Sequence, residues 1–298
     1  MTISRRTFVR SSGLALITIG LGRGSRWAVS DRPVLVCVVL RGAIDGLSVI
    51  VPHQEPAYYR DRPRTAIPAK DVIDLDGQFG LHPSLAPLKP FWDNKILAAI
   101  PAIGVPDVLR SHPEAQDRLN TWLTRLDAVP FASLPDIARA IKTGVAPAVV
   151  VTHLDGWDTH FNQGASDGRL AARFRELGLG LAAFSRDLGE RMRSVVVLTM
   201  SEFGRTIAEN GNSGTDHGHA TAMLVMGGPV NGGKVLGRWP GLDPASRFEG
   251  RDVAVTTDFR DLFGEILARH LGAGDLAAVF PGFTPNPQRF PGTIQERG

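Results

Sequence analysis

Val34-Leu35-Val36-Cys37-Val38-Val39-Leu40, followed at once by Arg41-Gly42-Ala43-Ile44-Asp45-Gly46, decides how this chain is read. A valine-rich run with no polar alternation is the pattern of a strand buried on both faces. Three later runs repeat it: Ala148–Thr152, Val195–Met200 and Thr221–Met226. Between them lie helical patterns. Leu170, Phe174, Leu177, Leu181, Phe184 and Leu188 recur at spacings of three and four, one face of a helix. Pro113 to Leu126 and Phe259 to Leu271 show similar periodicity. Strands alternating with helices predict an α/β fold, an α/β/α sandwich around a mostly parallel central sheet. Residues 53–110 are proline-rich and weakly periodic, and read as loops with short elements.

The polar clusters fall at the ends of these runs. Arg41 to Gly46 follows the first strand, His153 to His160 the second, and Ser201-Glu202-Phe203-Gly204-Arg205 the third. Ligands bind outside the carboxyl ends of strands in open α/β sheets, so the three clusters are expected to face one cleft. A fourth, Thr215-Asp216-His217-Gly218-His219, sits in a glycine-rich loop just before a strand.

The first thirty residues have a different character. Ser4-Arg5-Arg6-Thr7-Phe8 precedes a short apolar stretch, Gly13 to Gly22, and a small-residue exit ending Ala28-Val29-Ser30. These are the parts of a secretory signal, and paired arginines mark the twin-arginine type. The intact Ser-Arg-Arg-x-Phe and the modest hydrophobicity favour that route over general secretion. Residues 1–30 are therefore read as the signal and residues 31–298 as one mature domain. The expected location is the periplasm or the exterior, with the twin-arginine translocase as a partner during export. The apolar stretch is too short to span a bilayer of ~30 Å, and no later stretch approaches that length, so no stable membrane span is expected.

The whole chain has 33 basic and 30 acidic residues. Five arginines lie in the signal, which leaves 28 basic residues against 30 acidic ones and a mature charge near −2. Nothing in that balance favours nucleic acid. Cys37 is the single cysteine, so an internal disulfide is impossible.

Asp216, His217 and His219 lie within four residues, and Asp158 and His160 are two apart. Mixed carboxylate and imidazole ligands suit zinc or manganese, whereas carboxylates alone would lean to magnesium or calcium. Glycines at 211, 214 and 218 let neighbouring side chains in such a loop turn to one side.

The motif order Arg-Gly-x-x-Asp-Gly, Gly-Trp-Asp-Thr-His, Ser-Glu-Phe-Gly-Arg-Thr and Thr-Asp-His-Gly-His resembles an exported bacterial family of sulfatase-like proteins, domain of unknown function 1501. Pro56-Ala57-Tyr58-Tyr59, Gly80-Leu81-His82-Pro83, Arg110-Ser111-His112 and Gly237-x-Trp239-Pro240-Gly241-Leu242 extend the likeness over nearly all of the mature chain. The family looks like a remote branch of the alkaline phosphatase and sulfatase superfamily. The resemblance implies an alkaline-phosphatase-like fold, two clustered divalent metals and hydrolysis of phosphate or sulfate esters. By it, Asp45, Asp216 and His217 hold one metal, and Asp158, His160 and His219 serve the second. Glu202 could bind a metal or orient a ligand from behind.

A hydroxyl beside the metals would attack phosphorus or sulfur. Ser111 is the candidate and Ser48 the second choice, with Arg110 or Arg41 for a small anionic ester substrate. An N-cap before Pro113-Glu114 is the structural reading of Ser111. Cys37 is outside any Cys-x-Pro-x-Arg sulfatase setting. Two departures stand out: a shortened middle region between Pro113 and Leu154, and Pro113 where an aromatic is usual after the Ser-His motif. A non-catalytic metal-binding envelope protein that keeps the fold is the alternative function.

Overall fold

The computed structural model of the chain describes residues 32–106, 112–280 and 282–295. Residues 1–30, read from the sequence as an export signal, lie outside the described residues, as do Arg110 and Ser111.

Eight strands form the central sheet: β1 (Val34–Leu40), β2 (Leu97–Gly104), β3 (Val129–Pro130), β4 (Val149–Leu154), β5 (Val195–Met200), β6 (Thr221–Gly227), β7 (Lys234–Val235) and β8 (Thr257–Asp258). Their order is β7-β2-β6-β5-β1-β4-β3, with β8 also beside β2. Every pairing is parallel except the two made by β6.

Strand β1 shows why the valine-rich run has no polar alternation. Leu35, Cys37 and Val39 enter one core; Val34, Val36, Val38 and Leu40 enter the other. The first core is closed by helix α1 (His112–Arg125), through Leu119, Trp122 and Leu123, and by α4 (Phe259–Glu265) with its π-helical continuation Ile266–Leu271. The second is closed by α2 (Leu134–Lys142) and α3 (Arg169–Leu188). Helices therefore cover both faces of a mostly parallel sheet. The six apolar residues predicted on one face of α3 are all buried, and each contributes roughly 1.5–3 kcal/mol by leaving water. Burial in the first core pushes the Cys37 thiol up to about 12, which leaves it inert.

Strand β2 corrects the reading of residues 53–110 as loops with short elements. It runs for eight buried residues as the second strand from one edge of the sheet, between β6 and the two-residue strands β7 and β8. Its alanines and Pro101 hide it from a propensity reading. The proline is tolerated because the pairing with β6 shifts register between Ile100 and Ile103, and Ala102 there takes φ 52°.

The loops after β1, β4 and β5 leave from the carboxyl edge of the sheet. Because β6 runs the other way, the loop that precedes it, residues 215–220, reaches the same edge. Among the described residues, no helix is long and apolar enough to cross a membrane.

Candidate metal centre

Two loops bring the site together. The chain turns after β4 through Gly156, at φ 96°, and presents Asp158 and His160. The loop before β6 presents Asp216 and His217, the latter held by a bridge between Arg205 and His217. Glycines allow the approach by lacking side chains. A Cβ at Gly42 would stand 2.7 Å from the Asp158 amide nitrogen, and one at Gly214 would stand 2.3 Å from the His160 carbonyl carbon. Gly211, expected to help in the same way, faces open space.

Asp158, His160 and His217 each offer one ligand atom, and these atoms all lie within 4.8 Å of one another. The Nε2 atoms of His160 and His217 are 3.2 Å apart. Asp158 Oδ1 is 3.1 Å from the first and 3.3 Å from the second. Two imidazoles and one carboxylate, all partly open to solvent, are a donor set that fits a divalent cation and leaves coordination positions free. Phe203 walls one side, its ring centroid 4.8 Å from that of His217.

Asp216 stands behind this triad. Its Oδ1 meets His160 Nδ1 at 2.9 Å and also accepts from Asn210 Nδ2 at 2.9 Å. It therefore faces the ring nitrogen opposite the one turned to Asp158 and His217. A carboxylate on one imidazole nitrogen places the proton there and leaves the other nitrogen to bind metal.

Arg205 organises the whole edge. Its buried guanidinium donates to the carbonyls of Ala43 at 2.7 Å, Thr215 at 2.6 Å, Gly42 at 2.6 Å and Trp157 at 3.3 Å. It also donates to Asp158 Oδ1. One side chain thus ties three loops and holds a carboxylate of the candidate triad. The sequence gives no sign of this role, although Arg205 lies within a quoted motif.

Protonation suits metal binding. Burial pushes the Asp158 carboxyl up, but Arg205 and the two histidines outweigh it and hold the group below the usual range. Hydrogen bonds from Asn210 and His160 hold Asp216 low as well. Burial lowers His217, against the pull of Asp158. The carboxylates are therefore ionised and His217 neutral at neutral pH, as ligands must be.

Among the described residues, the other predicted side chains make different contacts. Asp45 is fully buried, its oxygens held by Arg62 at 2.6 and 3.0 Å, Ser48 at 2.6 Å and Gln163 at 2.7 Å. Gln163 accepts in turn from Thr159 at 2.8 Å and Thr215 at 2.7 Å, which links Asp45 to both metal loops. Neither Arg62 nor Gln163 stood out in the sequence, where nothing local marks a buried polar partner. Ser48 is itself buried and its hydroxyl is committed to Asp45. His219 stacks on Phe248, ring centroids 4.2 Å apart. Glu202 accepts from Arg41 and from the amides of Gly42 and Ala43, each at 3.3 Å. Burial raises its carboxyl, yet hydrogen bonds from its own amide, the Ala43 amide and the Ser201 hydroxyl, with the Arg41 charge, bring it below the usual range. Arg41 also donates to Asn120 at 2.7 Å and His153 at 3.2 Å. His82 caps Ser84 and bonds the Ala165 carbonyl at 2.8 Å, a structural role.

Among curated proteins, none matches the chain. A family model described as a protein of unknown function, DUF1501, matches residues 137–290, just over half of the 298-residue chain. The matched span contains Asp158, His160, Arg205, Asp216 and His217. By this match the chain belongs to the DUF1501 family.

Proposed function

We propose that this is an exported metal-binding protein that hydrolyses phosphate or sulfate esters at the cleft formed by Asp158, His160 and His217. The observation that carries the reading is the convergence of those three ligand atoms within 4.8 Å on the edge where strand ends open. A divalent cation there, zinc or manganese by the donor set, would supply Lewis acidity toward an ester oxygen. The protein's own groups do the rest. Asp216 fixes the His160 tautomer, Arg205 fixes Asp158, and Arg41 stands on the neighbouring loop with a guanidinium suited to an anion.

One ion is favoured over the two implied by the sulfatase likeness, because Asp45 would have to leave Arg62 to help hold the other. Ser111 remains the proposed nucleophile, since Ser48 is enclosed and bound to Asp45. That enclosure also favours a second reading, a non-catalytic envelope protein that binds metal. Export by the twin-arginine translocase rests on Ser4 to Ser30.

The deciding experiment combines elemental analysis of the mature protein with assays on 4-nitrophenyl phosphate and 4-nitrophenyl sulfate. Bound metal, and activity lost in both Asp158→Ala and Ser111→Ala, is the expected result. Metal without activity selects the second reading, and the absence of metal in gently purified protein overturns both.

A further inference from the structure

Away from the metal loops, an open cavity of about 460 Å³ lies between α2, α3 and the end of β4. That volume is in the range of small-molecule sites. Leu134, Leu154, Leu177 and Phe184 give it apolar walls. Three observations bear on what it holds.

The first is Gly180, in the middle of α3 and on the cavity wall. Its φ is not positive, and a Cβ there would meet only Leu134 Cδ1, at 3.6 Å. Neither backbone geometry nor crowding calls for glycine, yet glycine inside a helix costs about 1 kcal/mol relative to alanine. The missing side chain leaves space. The second is Thr152, which faces the cavity from β4 and is 1% exposed. Its hydroxyl makes no hydrogen bond to any described residue. Facing an open cavity with apolar walls, that hydroxyl is free to pair with a hydrogen-bonding group of a ligand. The third is charge. Glu176 and Asp187 stand at the cavity, but Arg173 meets the first at 2.7 Å and Lys142 meets the second at 2.6 Å. Both are compensated within the chain, so neither calls for a charged ligand.

We propose that this cavity binds a small uncharged molecule with an apolar body and one hydrogen-bonding group, which Thr152 anchors. The site is independent of the metal centre. The test uses N-phenyl-1-naphthylamine, a neutral aromatic amine whose fluorescence rises in apolar surroundings. Titration of the mature protein should show saturable binding at one site. Gly180→Leu, which fills the cavity, should weaken binding at least about tenfold while the melting temperature holds or rises. Thr152→Val keeps the shape, removes the hydroxyl and should weaken binding roughly fivefold. Asp158→Ala should bind the probe like wild type. If Gly180→Leu does not fold, Ala183→Leu serves in its place. The proposal falls if binding does not saturate, or if the filled variant binds as well as wild type. It also falls if light scattering shows a dimer that the filled variant dissociates, which would make the surface a subunit contact.

Discussion

His160 turns its Nδ1 to Asp216 Oδ1 at 2.9 Å, and this contact separates two carboxylates that the sequence treats alike. Asp158 lies on the Nε2 side with His217, whereas Asp216 lies on the other. In the proposed metal site, the first is placed as a ligand and the second to orient the His160 imidazole.

The two should therefore differ on substitution. Asp158→Ala should abolish tight metal binding, whereas Asp216→Ala should weaken it by about 10–100-fold, the usual effect of removing a partner behind a ligand histidine. Competition against a chromogenic chelator measures both. Equal loss in the two variants would make Asp216 a direct ligand.

Arg205→Met should cost at least ~3 kcal/mol of stability. It leaves the carbonyls of Gly42, Ala43 and Thr215 without their donor, and each such loss costs about 1–3 kcal/mol. Urea unfolding of the metal-free protein checks this. A midpoint within error of wild type would remove Arg205 as the tie between the loops.

The Asp45–Arg62 pair predicts a particular response to acid. Burial raises the Asp45 carboxyl, but Arg62, Ser48 and Gln163 bring it below its ordinary value. In the unfolded chain it titrates near ~3.9. A depressed folded value means the stabilisation is complete above that pH and is lost as pH falls through the folded value. Asp45→Asn, which leaves Arg62 buried without its counter-charge, should cost about 3–5 kcal/mol at pH 7. The gap between variant and wild type should narrow from pH 5 to pH 3. A gap constant over that range contradicts the pairing as the source.

Arg5→Lys together with Arg6→Lys should leave the protein in the cytoplasm, because the export receptor reads the arginine pair. Cell fractionation decides it. Undiminished periplasmic protein would assign export to the general secretory route.

The sequence by itself determined the features that depend on neighbours in the chain. Val34–Leu40 and Val195–Met200 are strands over the very residues read as apolar runs, because burial on both faces leaves a continuous signal. The apolar stripe of Arg169–Leu188 was legible for the same kind of reason. Asp158 with His160, and Asp216 with His217, were legible as candidates because their spacing is local. Tertiary structure decided what each of them faces. Asp45 follows a strand end as expected, but Arg62, distant in the chain, claims both of its oxygens. His219 shares a motif with His217 yet is drawn onto Phe248. Strand β2 was hidden because its proline sits at a bulge that only the pairing with β6 creates. Nothing local signals the vacancy beside Gly180, which exists only where α2, α3 and β4 meet. Periodicity records which side of an element is buried, whereas a hydrogen bond or a cavity depends on chain segments far apart in sequence that packing brings together.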